Sequence, residues 1–136
     1  MNILLVDDSP DARLLLHKIL REAGYRDTFS ASTAYDVFKK LDVEHGGAGA
    51  SEIDLIVMDV RMPEIDGIEA CRRIKEVEAL RDIPVIMMTA RSQPEVLRAA
   101  FEAGAMDYIK KPFEEVELLA RIKAALKLKQ EIDARK

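Results

Sequence analysis

Five short apolar runs, near residues 2–6, 27–31, 53–58, 84–88 and 106–110, alternate along this chain with five segments of helical amphipathic spacing. Parallel strands cannot be joined by a tight turn. They need a crossover of a dozen or more residues, which a helix packed on the sheet supplies. The alternation therefore predicts an α/β fold, a doubly wound (βα)5 unit around a five-stranded parallel sheet. At 136 residues the chain has room for about one such domain.

The punctuation agrees with that rhythm. Ser9-Pro10-Asp11 supplies an N-cap, a proline at the first helical position and early negative charge. The helix that follows places Ala12, Leu15, Leu16, Ile19, Leu20 and Ala23 on one face and is expected to stop at Gly24. A helix near 34–44 and an aperiodic loop over His45–Ser51 come next. Ile53 through Met58 is apolar on both faces apart from Asp54, as expected of a central strand covered on each side. Helices near 67–78 and 94–103, the second ended by Gly104, flank the fourth strand. The last helix starts after Pro112-Phe113, with apolar residues at Val116, Leu119, Ile122, Leu126 and Ile132.

Composition narrows the function. Twenty-one basic against 25 acidic residues give a formal charge of −4, so no global positive field draws nucleic acid or an anionic membrane. No run of about 18 apolar residues occurs, and Asp7 interrupts the first apolar run before it could serve as a signal peptide, so a cytoplasmic location is expected. The single cysteine, Cys71, cannot close an internal disulfide and reads as a small buried residue.

The polar residues that break the pattern all fall at carboxyl ends of strands: Asp7 and Asp8 after the first, Asp59 after the third, Thr89 after the fourth and Lys111 after the fifth. Ligands of open α/β sheets bind at that edge, where the strand order reverses. In the flavodoxin-like order 2-1-3-4-5, strands one and three are neighbours, and Asp7 and Asp8 face Asp59. Three converging carboxylates repel one another unless a cation offsets them. An all-oxygen set without a Cys/His partner suits Mg2+ better than zinc. Such an ion lets an anionic phosphoryl group approach an aspartate nucleophile, with Lys111 as a point charge and Thr89 as a hydroxyl donor. Taken singly, Asp8-Ser9-Pro10 is a helix cap and Asp59 a turn residue. Five complementary groups at one sheet edge point instead to magnesium and phosphoryl chemistry.

At these residues the chain resembles the receiver domain of two-component response regulators, through Val6-Asp7-Asp8, Asp59-Val60-Arg61-Met62-Pro63 with Asp66-Gly67, Met88-Thr89-Ala90, and Asp107-Tyr108 followed by Lys111-Pro112-Phe113. The resemblance implies that Asp59 accepts a phosphoryl group from the phosphohistidine of a sensor kinase or phosphotransfer protein, so the chain is a switch and not an enzyme acting on external substrates. It implies Mg2+ held by Asp8, Asp7, Asp59 and the Arg61 backbone carbonyl. Thr89 and Tyr108 would act as switch residues, and Lys111 would pair with the phosphoryl group, its bond to Pro112 often cis in the family. Arg61 and Arg91, two residues beyond Asp59 and Thr89, would tune the lifetime of the acyl phosphate. Lys110 is expected in solvent, and His17 and His45 as ordinary surface residues. Asp107, Glu117 and Arg121 are candidates for a phosphorylation-dependent homodimer through the fourth helix, fifth strand and fifth helix, with output passed to a downstream domain or protein. Residues 1–126 would form the receiver, and 127–136 a helical extension or linker.

Two rivals share the architecture. An aspartyl-nucleophile phosphatase needs a second acid two residues after the nucleophile, where this chain has Arg61. A flavodoxin-like cofactor carrier needs hydroxyls and amides in the first loop, where Asp7-Asp8-Ser9-Pro10-Asp11 presents three acids. A receiver-like module that works without phosphorylation is the third alternative, and degenerate modules of that kind normally lack some of the five polar residues.

Overall fold

The computed structural model describes residues 1–47, 52–91 and 93–135. Strands β1 (Asn2–Val6), β2 (Thr28–Ala31), β3 (Ile53–Asp59), β4 (Val85–Thr89) and β5 (Asp107–Lys110) form one parallel sheet in the order β2-β1-β3-β4-β5. Helices α1 (Pro10–Glu22) and α5 (Glu115–Ala134) cover one face of it. Helices α2 (Ala34–Lys40), α3 (Gly67–Glu76) and α4 (Pro94–Glu102) cover the other.

Alternation along the strands divides the core. Ile3, Leu5, Leu55, Val57, Ile86 and Ile109 point toward α1 and α5, while Leu4, Val6, Ile56, Met58, Val85 and Met87 point toward α2, α3 and α4. The central strands are therefore apolar on both faces. Each fully buried Leu, Ile or Met contributes about 1.5–3 kcal/mol relative to exposure. Register aligns the strand ends: Val6 lies beside Met58, Asp59 beside Met88, and Thr89 beside Lys110. Just past their apolar stretches, β1, β3, β4 and β5 deliver their polar groups to the same rim.

Four local expectations change. The helix expected over 34–44 ends at Lys40, because buried Leu41 closes it and Asp42 turns left-handed (φ 54°) before a separate 3-10 turn at Val43–His45. The helix expected over 67–78 ends at Glu76, since Val77 is extended and a 3-10 turn follows at Glu78–Leu80. On α1, Leu15 is 51% exposed, and the buried stripe is Leu16, Ile19 and Leu20. On α5 the buried stripe is Leu118, Ile122, Ala125, Leu126 and Lys129, with Val116 80% exposed. That helix carries apolar residues on several sides, so spacing alone left its inward face undetermined. It runs unbroken past residue 126, and Lys129 is buried with its ammonium on the Asp133 carboxylate of the next turn.

Of the loop expected over His45–Ser51, positions 48–51 lie outside the described residues. Gly46 and Gly47 both have positive φ, and a side chain on Gly47 would strike Leu80. Among the described residues, no helix is long and apolar enough to cross a membrane.

Candidate functional site

Asp7 directly follows β1. Its N–H donates to the Ala31 carbonyl at 3.2 Å, and it is 2% exposed. Its Oδ1 accepts the Ser9 N–H at 2.9 Å, and Ser9 in turn caps α1 by accepting from the Ala12 N–H. Asp8, next along the same turn, projects into solvent.

Asp59 ends β3 and is 9% exposed. Its Oδ1 accepts the Arg61 N–H at 3.3 Å. The loop beyond it folds tightly back: Gly67 N–H donates to the Val60 carbonyl at 2.8 Å, and Glu64 adopts a left-handed conformation (φ 69°). A Cβ on Gly67 would stand 2.3 Å from the Asp59 carbonyl oxygen, so only glycine lets the start of α3 approach so closely.

Thr89 ends β4, 1% exposed, with its Oγ1 accepting the Arg91 N–H at 2.9 Å. The Lys111 N–H donates to the Thr89 carbonyl at 2.8 Å, which places the lysine stem over the rim, and the Lys111–Pro112 bond is cis. Lys111 Nζ donates to Asp7 Oδ2 at 2.8 Å and Asp59 Oδ2 at 3.3 Å. Ligand-type oxygens of Asp7, Asp8 and Asp59 all lie within 4.8 Å of one another.

The electrostatics follow from burial. Desolvation pushes the Asp59 carboxyl above its ordinary value, with the Asp7 charge adding to it; Lys111 and the Arg61 N–H oppose the rise without cancelling it. Burial pulls Lys111 down, but the Asp7 hydrogen bond and the charges of Asp59 and Asp7 outweigh it and raise its pKa. One ammonium stands against three carboxylates, so the cluster is short of positive charge. Its donors are all oxygen. Excess negative charge on hard ligands is the requirement for Mg2+, and the cluster fits that ion.

The remaining expected residues divide clearly. Arg61 and Arg91 have exposed side chains with no ion-pair partner among the described residues, while their N–H groups bind Asp59 and Thr89. The Tyr108 ring meets Phe101 edge to face, with centroids 6.2 Å apart. Arg121 Nη1 forks onto both oxygens of Asp107, at 2.9 and 2.8 Å, and its Nε reaches Glu117, so these three pair within one chain. Lys110 is exposed, and exposed His45 pairs with Asp42 at 2.6 Å. Buried Cys71 has its thiol pushed up to about 11 by desolvation.

His17 departs from its expected place on the surface. It is half-buried between α1 and β2, with Nδ1 2.6 Å from Thr28 Oγ1 and Nε2 against Ser30 Oγ. Burial lowers its pKa, and Arg21 and Arg13 add to the effect. Exposed Leu15 lines a cleft of about 420 Å³ with Asp7, Lys111 and Phe113. Arg13, which the sequence did not single out, donates from Nη1 to the Asp7 carbonyl at 2.5 Å. Nothing in a polar residue on the first turns of a helix announces a contact six positions back.

Known proteins share both sequence and shape. The chain matches the family described as the response regulator receiver domain over residues 3–123. It is 38% identical over 127 residues to the DNA-binding dual master transcriptional regulator RpaA of Synechocystis, covering 92% of this chain and 48% of that protein. It is 35% identical over 134 residues to the cyclic di-GMP phosphodiesterase response regulator RpfG of Xanthomonas campestris, covering 98% and 34%. The chain thus spans half or less of the length of these relatives. Among solved structures, a putative response regulator from Chloroflexus aurantiacus superposes with a TM-score of 0.81 at 33% identity, covering 92% of this chain and 96% of that one. The signal receiver domain of a histidine kinase from Syntrophus aciditrophicus gives 0.81 at 37%, covering 93% and 89%.

Proposed function

The chain belongs to the response regulator receiver family, and on that premise we propose that Asp59 is its phosphoacceptor. The observation that carries this reading is the convergence of Asp7, Asp8 and Asp59 within 4.8 Å, with Lys111 bonded to two of them. In the proposed step an Asp59 carboxylate oxygen attacks phosphorus, the P–N bond to a partner histidine breaks, and the imidazole leaves with the electron pair. Hydrolysis reverses the gain: water attacks phosphorus, the acyl P–O bond breaks, and inorganic phosphate and the carboxylate are released.

Asp7, Asp8 and Asp59, with the Arg61 backbone carbonyl, would hold Mg2+. Bound there, the ion neutralises charge so that an anionic phosphoryl group can meet an anionic nucleophile. Lys111 would move its ammonium from the two carboxylates to a phosphoryl oxygen, and the Thr89 hydroxyl would supply a second donor. Arg61 and Arg91, exposed and without an ion-pair partner among the described residues, would contact the outer oxygens or obstruct the attacking water.

Added phosphoryl charge would bias two arrangements of the face built from residues 89–130, with Thr89 and Tyr108 moving together. Shifting such an equilibrium from 1:99 to 99:1 takes about 5.5 kcal/mol, the scale of a few charge-assisted bonds. Residues 1–126 would act as the receiver and 127–136 as a helical extension toward an output domain or protein. The partners would be a sensor histidine kinase or phosphotransfer protein in the cytoplasm, with phosphorylation-dependent pairing of two copies.

Incubation with acetyl phosphate and Mg2+ tests the central step. One acid-stable, base-labile phosphate should appear by mass. No modification, or its persistence in Asp59→Asn, overturns the assignment.

A further inference from the structure

We infer that Arg13 is a positioning residue that fixes the direction of the Asp8 carboxylate by clamping the Asp7–Asp8 peptide. The inference rests on the magnesium reading above. Asp7 and Asp59 have their carboxylates held by protein donors: Ser9 N–H and Lys111 for the first, Arg61 N–H and Lys111 for the second. The Asp8 carboxylate is exposed, with no hydrogen-bond or ion-pair partner among the described residues. What is held by described contacts is therefore the backbone that carries it.

That backbone is held at a corner. The Asp7 N–H is tied to Ala31, and Ser9 belongs to the cap of α1. Between them lies the peptide formed by the Asp7 carbonyl and the Asp8 nitrogen. The contact that fixes its plane is Arg13 Nη1 on the Asp7 carbonyl oxygen at 2.5 Å. Arg13 is anchored in turn, because its own N–H donates to the Ser9 carbonyl at 3.1 Å. Backbone and guanidinium thus close a loop around the β1–α1 corner. Rotation of that peptide would swing Asp8 away from Asp7 and Asp59.

Arg13 also brings a positive charge toward the cluster, and charge and positioning act on a cation with opposite signs. If charge dominates, removing the guanidinium lets Mg2+ bind more tightly. If positioning dominates, removing it weakens binding, as loss of groups that orient metal ligands commonly does by about 10- to 100-fold. The difference in sign makes the claim testable.

Titration calorimetry of Mg2+ into the full chain should show about tenfold weaker binding in Arg13→Gln and Arg13→Ala, with Arg13→Lys recovering most of the loss. In an Asp8→Asn background, Arg13→Gln should add nothing further, because it acts through Asp8. The Mg2+ midpoint for phosphorylation by acetyl phosphate should shift by the same factor, whereas a merely destabilised protein would lose rate at every Mg2+ concentration. Unchanged or tighter binding in Arg13→Gln, or additive losses with Asp8→Asn, overturns the inference alone. Absence of Mg2+ binding to the wild-type chain overturns the magnesium reading, and the inference with it.

Discussion

Lys111 and Arg121 each stand between two carboxylates, yet their surroundings make them different devices. Lys111 draws together Asp7 and Asp59, 104 and 52 positions away in sequence, at a buried sheet edge with Asp8 beside them. Arg121 reaches Asp107 on the adjacent strand and Glu117 one turn back, in a setting open to water. Both clusters carry more negative than positive charge. Water screens the imbalance around Arg121, whereas around Lys111 burial leaves it to be answered by protonation of Asp59 or by a further cation. An excess of negative charge is thus screened at the surface around Arg121 and left uncompensated at the rim around Lys111.

The sharpest break of that contrast is Asp59→Asn. Phosphoryl incorporation should vanish, and the folded state without Mg2+ should become more stable at neutral pH, because a disfavoured buried charge is removed. The sign follows from linkage. With its folded pKa raised above the ordinary 3.8, Asp59 is protonated more readily in the folded than in the unfolded chain. Stability associated with that proton is present below 3.8 and is lost as pH rises through the raised folded value. Wild type and Asp59→Asn should therefore diverge in urea midpoint as pH increases from about 4 toward 7, with the variant more stable. Equal stability across that range would mean that Lys111 already neutralises the site.

Next in size is Lys111→Met, which leaves Asp7 and Asp59 facing each other without an ammonium. Breaking a fully buried pair costs about 3–5 kcal/mol. With the lysine side chain a quarter exposed, about 2 kcal/mol is expected. The raised folded pKa of Lys111 means that its contribution is complete below the ordinary 10.5 and is lost only as pH climbs through the higher folded value, so the deficit should persist throughout the neutral range. Mg2+ should raise the melting temperature of Lys111→Met more than that of wild type, since the ion binds the folded cluster without displacing an ammonium. Equal shifts would show that the lysine and the ion do not compete.

The contrast also explains what could be read before any coordinates. The strands and the rim residues were legible because parallel strands buried on both faces must be apolar, so a polar residue at a carboxyl end stands out, whereas the strand order came from likeness to the flavodoxin-like fold and not from the residues. The resemblance then supplied roles that spacing could not, including the two arginines. The inward face of α5 was not legible, because Val116, Leu118, Leu119 and Leu126 offer more than one stripe, and which is chosen depends on where β5 releases the chain. His17 was misplaced because its partners, Thr28 and Ser30, lie on a strand whose lateral position no local pattern encodes. Arg13 was missed for the same reason: its partner is a backbone carbonyl, which has no sequence signature.

Arg61 and Arg91 extend the comparison from the paired to the unpaired guanidinium. Neither has an ion-pair partner among the described residues, so both are available to a phosphoryl group. Loss of one charge-assisted bond, worth about 1.5 kcal/mol, should speed dephosphorylation about tenfold in Arg61→Ala or Arg91→Ala, and further in the double variant. Decay of the labelled acyl phosphate gives these rates directly. Unchanged decay in all three variants would remove the tuning role.

Arg121→Ala should have the smallest effect. Although Arg121 forks onto Asp107 with good geometry, the pair is exposed enough that solvent and salt recover most of what the bond supplies, and about 0–1 kcal/mol is expected. That cost should shrink further in 1 M salt, where the Debye length falls to about 3 Å, while the Lys111→Met deficit, held among buried groups, should change little. Measured by denaturant titration at two ionic strengths, the ratio of the two costs should therefore widen with salt. A salt-insensitive loss above about 2 kcal/mol in Arg121→Ala would place that cluster in the same electrostatic class as the rim. The difference between the two cations would then lie in their neighbours and not in their exposure to water.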